Sequence, residues 1–293
     1  MAHLSGGDPL SAILTLAILE ANVRHVARDP VLALRHAQFD APPPDSTRRP
    51  VSVSALAESL RIPYEAARRR VATLEAAGVC VRTGKGVYIP TAVLITEENR
   101  LALAGTFRAL ESLATEIQAA APSFDLTGGA PGAPGPPPPA PDRLAARVSA
   151  EYVLRFAERL GVVAGDVGRG LILLAILRHN FEPLHRDPAL ARKYGGLAHL
   201  PPDDLLAPVS VLALAGELGQ PFETTRRNVN RLIRGHRCAR TRGGVIVPAR
   251  ALKTAVARGV LLAHLGDIQR TFGALARLGL TFGGNQPAPT PAD

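Results

Sequence analysis

The sequence predicts a mainly α-helical protein with two small β-hairpins, built as two tandem copies of one unit with flanking long helices. Three observations carry that expectation. The segment Pro50 to Pro90, PVSVSALAESLRIPYEAARRRVATLEAAGVCVRTGKGVYIP, aligns without a gap on Pro208 to Pro248, PVSVLALAGELGQPFETTRRNVNRLIRGHRCARTRGGVIVP, at a constant offset of 158. Identical pairs run through it, among them Leu56/Leu214, Pro63/Pro221, Glu65/Glu223, Arg68/Arg226, Arg69/Arg227, Val71/Val229, Leu74/Leu232 and Cys80/Cys238. A register kept over the whole segment marks an internal duplication. Within each copy apolar residues recur at helical spacing and then give way to β-branched runs around glycines. With 46% hydrophobic residues, only 4% aromatic and no Trp, the core rests on Leu, Ile, Val and Ala, which suits helices.

Asp8 to Arg28 reads as a long helix, with Leu10, Ile13, Leu16, Ala17, Leu19 and Val23 apolar over much of its circumference, so it asks for burial on more than one side. Its counterpart is GLILLAILRHNFEPLHRDP, which aligns at the same offset through Leu16/Leu174, Leu19/Leu177 and Asn22/Asn180. The repeat therefore includes a leading helix. From Pro30 to Pro50 the copies diverge, and APPPDSTRRP and LPPDDLLAP read as loops.

A short helix follows Ser52 as its N-cap, with Val53, Leu56, Ala57 and Leu60 on the buried side. Arg61-Ile62-Pro63, and Gly219-Gln220-Pro221 in the second copy, end it, because proline lacks an N–H and presets the first turn of a new helix. Arg61 in place of glycine predicts a slightly different turn in the first copy. The second helix runs from Tyr64 to Ala77, with Ala67, Val71 and Leu74 facing the core and Glu65, Arg68, Arg69 and Ala72 solvated, and Gly78 ends it. Val79 to Thr83 and Val87 to Ile89 make a hairpin around Gly84-Lys85-Gly86, with glycine at the positions of positive φ. Copy two repeats it as Cys238 to Thr241 and Val245 to Val247 around Arg242-Gly243-Gly244.

Apolar helices follow at Glu97 to Ala121 and Ala251 to Leu280. Phe124 to Asp142 is a Pro/Gly-rich linker. Arg143 to Leu160 is an extra amphipathic helix, with Leu144, Val148, Tyr152, Phe156 and Leu160 at four-residue steps and no equivalent in the first copy, and Gly283 to Asp293 is a disordered tail. The boundaries that result are 8–121 and 166–282 for the two repeats with their flanking helices, 122–142 for the linker, 143–165 for the extra helix and 283–293 for the tail.

The chain of 293 residues has a net charge of +9 and a pI near 10.5, which favours a polyanionic partner. Its placement is sharper than its total. Residues 1–120 carry 13 Lys and Arg against 12 Asp and Glu, whereas 220–258 carry 10 against Glu223 alone. Two cysteines make no disulfide scaffold and fit a reducing cytoplasm. The N-terminal apolar stretch, interrupted by Thr15 and closed by Glu20, reads as too short for a membrane span and lacks the basic start of an export signal.

Helix, tight turn, basic helix and glycine-tipped hairpin together resemble the winged helix-turn-helix fold. LRIPYEAARRRVATLEAAGV in particular resembles the DNA-reading segment of bacterial MarR, GntR and IclR-type transcriptional regulators. The resemblance covers each Pro-to-Pro segment and implies sequence-specific binding of double-stranded DNA. Arg68, Arg69, Arg226 and Arg227 are then the helix residues that meet phosphates and guanine edges. Arg82, Lys85, Arg240 and Arg242 are hairpin cations for the backbone or minor groove, and Tyr64 and Phe222 either pack on a sugar or thymine methyl or staple their own helix. Asn230 and Arg231, opposite Ala72 and Thr73, make the two half-sites unequal, as does Arg70 opposite Asn228.

Two such heads in one chain act as a pseudo-dimer on an imperfect inverted repeat, about 34 Å apart, in a cytoplasmic, nucleoid-associated transcription regulator. Flanking helices pair subunits in such regulators, and here the partners can come from the same chain; a homodimer and a small-molecule effector stay open. Two alternatives are a plasmid-type replication initiator and a tandem winged-helix module that binds protein, the latter disfavoured by the basic window. No Walker A, GxSxG, paired acid motif or metal-ligand spacing of His and Cys is present, so no catalytic residue, metal or cofactor is expected. Asp203-Asp204 reads as a cap or turn, and Cys80 and Cys238 as small buried side chains.

Overall fold

Residues 8–130, 142–195 and 199–282 are described by a computed structural model of the chain. The first half holds α1 (Pro9–Arg28), α2 (Pro30–Arg35), α3 (Val53–Ser59), α4 (Tyr64–Ala76), β1 (Val81–Thr83), β2 (Gly86–Tyr88), α5 (Thr91–Leu94) and α6 (Glu97–Ala120). Then come α7 (Asp142–Ala164), α8 (Val167–Arg186), α9 (Pro188–Tyr194), α10 (Val211–Glu217), α11 (Phe222–Arg234), β3 (Ala239–Thr241), β4 (Gly244–Ile246), α12 (Ala249–Leu252) and α13 (Ala255–Arg277). The protein is mainly helical, with two small antiparallel hairpins among the described residues.

Local chemistry sets most of these boundaries. The Ser52 and Ser210 hydroxyls accept from the Ala55 and Ala213 N–H groups, both at 3.1 Å, which starts α3 and α10. At Asp29-Pro30 and Asp187-Pro188, each carboxylate caps two backbone N–H groups and the proline fixes the first helical φ. Helices α2 and α9 therefore form just beyond the leading helices, ahead of the two segments expected to be loops. APPPDSTRRP and LPPDDLLAP keep only one 3₁₀ turn each, at Asp45–Thr47 and Asp203–Leu205.

Helix α3 ends in a Schellman arrangement, in which Ile62 N–H donates to the Ala57 carbonyl at 2.9 Å; Gln220 donates to Ala215 at 3.0 Å after α10. The geometry needs a left-handed residue, and Arg61 adopts φ 52° where Gly219 adopts 58°. The two turns are thus alike, against the difference expected from Arg61. Helices α4 and α11 close the same way on Gly78 at φ 72° and His236 at 58°.

In the hairpins, Thr83 pairs with Gly86 and Thr241 with Gly244. The strands are shorter than expected, since Val79, Cys80, Ile89, Cys238 and Val247 are buried but lie outside them. Positive φ falls on Gly86 and Gly244, at 130° and 144°, and not on Gly84 or Gly243. Their freedom serves a close approach. Val51 and Val209 pair with Val87 and Val245 from outside the hairpin, and a Cβ on Gly86 or Gly244 would lie 2.4 Å from the Val51 or Val209 carbonyl oxygen.

Each hairpin is tied to a leading helix by a buried asparagine. Asn22 on α1 donates to the Arg49 and Val87 carbonyls at 2.9 and 3.1 Å and accepts from Ile89 N–H at 3.0 Å. Asn180 on α8 does the same with Ala207, Val245 and Val247, at 2.7, 3.3 and 2.8 Å. Apolar cores fill the rest, one built from Leu14, Ile18, Leu56, Val71, Leu74 and Val87, the other from Ile172, Ile176, Leu214, Val229, Leu232 and Val245.

Helix α7 is longer than the predicted Arg143 to Leu160 and occupies a central position, packing on α1, α6, α8 and α13. Its Ala145 joins Leu110 and Ala114 of α6 and Ile268, Phe272 and Leu275 of α13 in one cluster, so the two flanking helices meet through α7. Leu126 is buried in that cluster with Phe124 against it, so the start of the predicted linker is packed; its remainder, 131–141, and the predicted tail, 283–293, lie outside the described residues. The last long helix begins at Ala255, where the Thr254 hydroxyl caps it, and α12 is separate. Asp267 of α13, with a fully buried side chain, pairs with Arg159 at 2.5 Å and Arg155 at 3.5 Å from α7, and with Arg270 of its own helix.

Helix α1, at 20 residues, has the length and apolarity of a membrane span, contrary to the expectation from Thr15 and Glu20, and 56% of that window is buried inside the protein. Helices α7 and α8 reach that length and apolarity only as a pair, bent by 90°.

Candidate nucleic-acid interface

Helices α4 and α11 each bury one side and expose the other. Ala67, Val71 and Leu74 are buried on α4, as are Thr225, Val229 and Leu232 on α11. Helical periodicity then puts Arg68 and Arg69, and Arg226 and Arg227, on the outer face, and all four are exposed. Arg68 pairs with Glu65 at 3.0 Å, and Arg226 with Glu223 through two hydrogen bonds at 2.9 and 2.8 Å. Exposed pairs one turn apart are screened by solvent and contribute little, so a phosphate can displace either carboxylate. Arg69 and Arg227 make no ion pair among the described residues. Tyr64 and Phe222, at the first turns, are 51% and 48% exposed, which leaves a ring edge available beside the arginines.

The hairpin cations differ between the units. Arg82 pairs with Glu75 of α4 at 3.3 Å, whereas Arg240 donates to the neutral Asn230 side chain at 2.9 Å. Glu75 is matched by Ile233, so the second unit holds its hairpin arginine against the helix without neutralising it. Lys85, Arg231 and Arg242 are exposed. Arg70 is turned inward to Asp8 at 2.9 Å and tethers α4 to the start of α1; Asn228 takes its position on α11. Glu223 is held below its usual carboxylate range by the hydrogen bond from Arg226, which outweighs its slight desolvation.

The acid partner Glu75 and the tether Arg70–Asp8 carry no local motif. The signal available for both was the aligned mismatch, Glu75 against Ile233 and Arg70 against Asn228. Asp203 accepts from Ala249 N–H at 2.8 Å and Asp45 from Thr91 N–H at 2.6 Å, a shared turn-closing role. Both cysteines are free and buried, and desolvation pushes the Cys80 thiol up to about 11 and the Cys238 thiol up to about 12. Among the described residues no three His, Cys, Asp or Glu side chains converge as a metal site would require. Comparison of the chain with protein-family models, with curated proteins and with solved structures finds no match in any of the three.

Proposed function

We propose that this chain is a sequence-specific, double-stranded-DNA-binding transcription regulator, in which two winged helix-turn-helix units produced by internal duplication act as a pseudo-dimer. One observation carries the reading. The exposed pairs Arg68-Arg69 and Arg226-Arg227 stand at matching places on matching helices, each beside an exposed aromatic ring and a cationic hairpin. Such a face offers phosphate neutralisation along its edges and bidentate donors for guanine in the major groove. The second unit supplies more of the salt-dependent affinity, because Glu75 neutralises Arg82 while Asn230 leaves Arg240 charged. Inequality at Ala72/Asn230 and Thr73/Arg231 favours half-sites that are not identical.

Selection of bound sequences from a random duplex pool, followed by titration at several salt concentrations, tests it. Arg226→Ala with Arg227→Ala should weaken binding more than the matched pair in the first unit and flatten the salt slope by about one per lost phosphate contact. Equal losses from the two pairs would remove the second unit's dominance. Failure of the intact chain to shift any duplex at low salt overturns DNA binding itself.

A further inference from the structure

Between α1, α6 and α7 lies a cavity of about 150 Å³ that the DNA-facing surface does not use. Its body is apolar, with Leu16, Leu19, Val23, Leu103 and Val153 on the walls. Its charged lining is three guanidiniums, Arg48, Arg143 and Arg147, against the single carboxylate of Glu20. The Arg48 side chain is fully buried. Its Nε reaches Asp45 at 3.2 Å and one terminal nitrogen reaches the Pro43 carbonyl at 3.0 Å, but among the described residues Nη1 has no acceptor, and neither has Nη1 of Arg147. Arg143 spends its donors on the Phe39 and Leu94 carbonyls, which carry no compensating charge.

Burying cations without acceptors is costly, and the second unit shows that the fold does not demand it. The position matching Arg48 is Leu206, buried in a cluster with Leu184 and Ile246, and Phe181 fills the place of Val23. The first unit puts guanidiniums around a cavity where the matching position of the second carries the apolar Leu206.

We infer that this cavity is a binding site for a small organic monocarboxylate whose apolar body is about the size of one aromatic ring. The volume sets the body, since a dry cavity of ~150 Å³ takes up benzene. The three guanidiniums of the lining, two of them with an N–H that finds no partner among the described residues, set the head, because a carboxylate forms charge-assisted hydrogen bonds with guanidinium donors. Desolvation lowers all three arginines, Arg143 to about 10 with Arg48 and Arg147 repelling it, and an anion among them relieves both. Glu20 is raised by burial and by Glu151, so it resists a neighbouring anion less than an ordinary carboxylate would.

Calorimetric titration of the full chain with benzoate and with hexanoate should give saturable single-site binding at about 1 mM or tighter for at least one acid. Benzyl alcohol, hexanol and inorganic phosphate should bind about tenfold more weakly or worse. R48L introduces the side chain found at Leu206, so it should fold and lose about tenfold or more in carboxylate affinity; R147M gives the same comparison should R48L not fold. No saturable binding by either acid up to about 20 mM, equal affinity for acid and alcohol, or unchanged affinity in the folded variant overturns the site.

Discussion

Arg61 and Gly219 hold the same left-handed backbone, at φ 52° and 58°, although only one of them lacks a Cβ. His236 and Gly78 repeat the relationship with the two halves exchanged. A side chain in that region costs on the order of 1 kcal/mol. Arg61→Gly and His236→Gly should therefore each stabilise the protein by roughly 0.5–1 kcal/mol, and Gly219→Ala should destabilise it by a similar amount. Midpoints of thermal unfolding measure the sign; a loss of stability in Arg61→Gly would mean that the Arg61 side chain contributes more than its backbone costs.

Asn22 and Asn180 each satisfy three backbone groups that have little access to water. Removing the amide strands them, at about 1–3 kcal/mol for each group that water cannot reach. Asn22→Ala and Asn180→Ala should each cost about 3 kcal/mol or more in denaturant titration. Amide exchange should accelerate at Ile89 in the first variant and at Val247 in the second, while the opposite hairpin keeps its protection.

Gly86→Ala and Gly244→Ala place a Cβ against a carbonyl oxygen that is already paired to the hairpin. Each should cost on the order of 2–3 kcal/mol through strain and lost pairing. Gly84→Ala meets nothing within 4 Å and should be close to neutral. Comparing the three by urea unfolding separates a requirement for glycine at the close approach from one at the tip.

Burial of Asp267 pushes its carboxyl up, but hydrogen bonds and charge from Arg159 and Arg270 outweigh that and hold it below the usual 3.8. A lowered folded value means the stabilisation is complete above the ordinary aspartate range and is lost as pH falls through the folded value. Asp267→Asn should cost about 3 kcal/mol near neutral pH and make stability less steep in acid. Unfolding free energies from pH 7 down to about pH 3 give the comparison, and parallel curves for the two proteins would contradict the role.

The Cys80 and Cys238 thiols, both desolvated and raised well above neutrality, should react with a disulfide reagent only as the protein opens. Thiol titration at pH 8 should find both silent in the folded chain and both reactive in denaturant.

Elements governed by neighbours in the chain were legible in the sequence. Ser52 and Pro63 bound the short helix, and the Ala67, Val71, Leu74 spacing fixed which side of α4 faces out, placing Arg68 and Arg69 correctly on the exposed face. What stayed hidden depends on distant partners. Gly86 is glycine because of Val51, which approaches from 35 residues away in sequence. The four-residue steps of α7 describe one face of a helix that is half-buried nearly all round, so its place between α1, α6, α8 and α13 could not be read from them. Arg48 looked like loop charge, and its burial beside a cavity depends on α6 and α7 folding over it; the only hint was Leu206 opposite it in the alignment.

Because α7 lies against helices from both halves of one chain, their pairing is intramolecular and does not weaken on dilution as that of two separate subunits would. Each half also carries its own side chains at matching places, with Glu75 where the other has Ile233 and Arg48 where the other has Leu206, so a change in one leaves the other as it was.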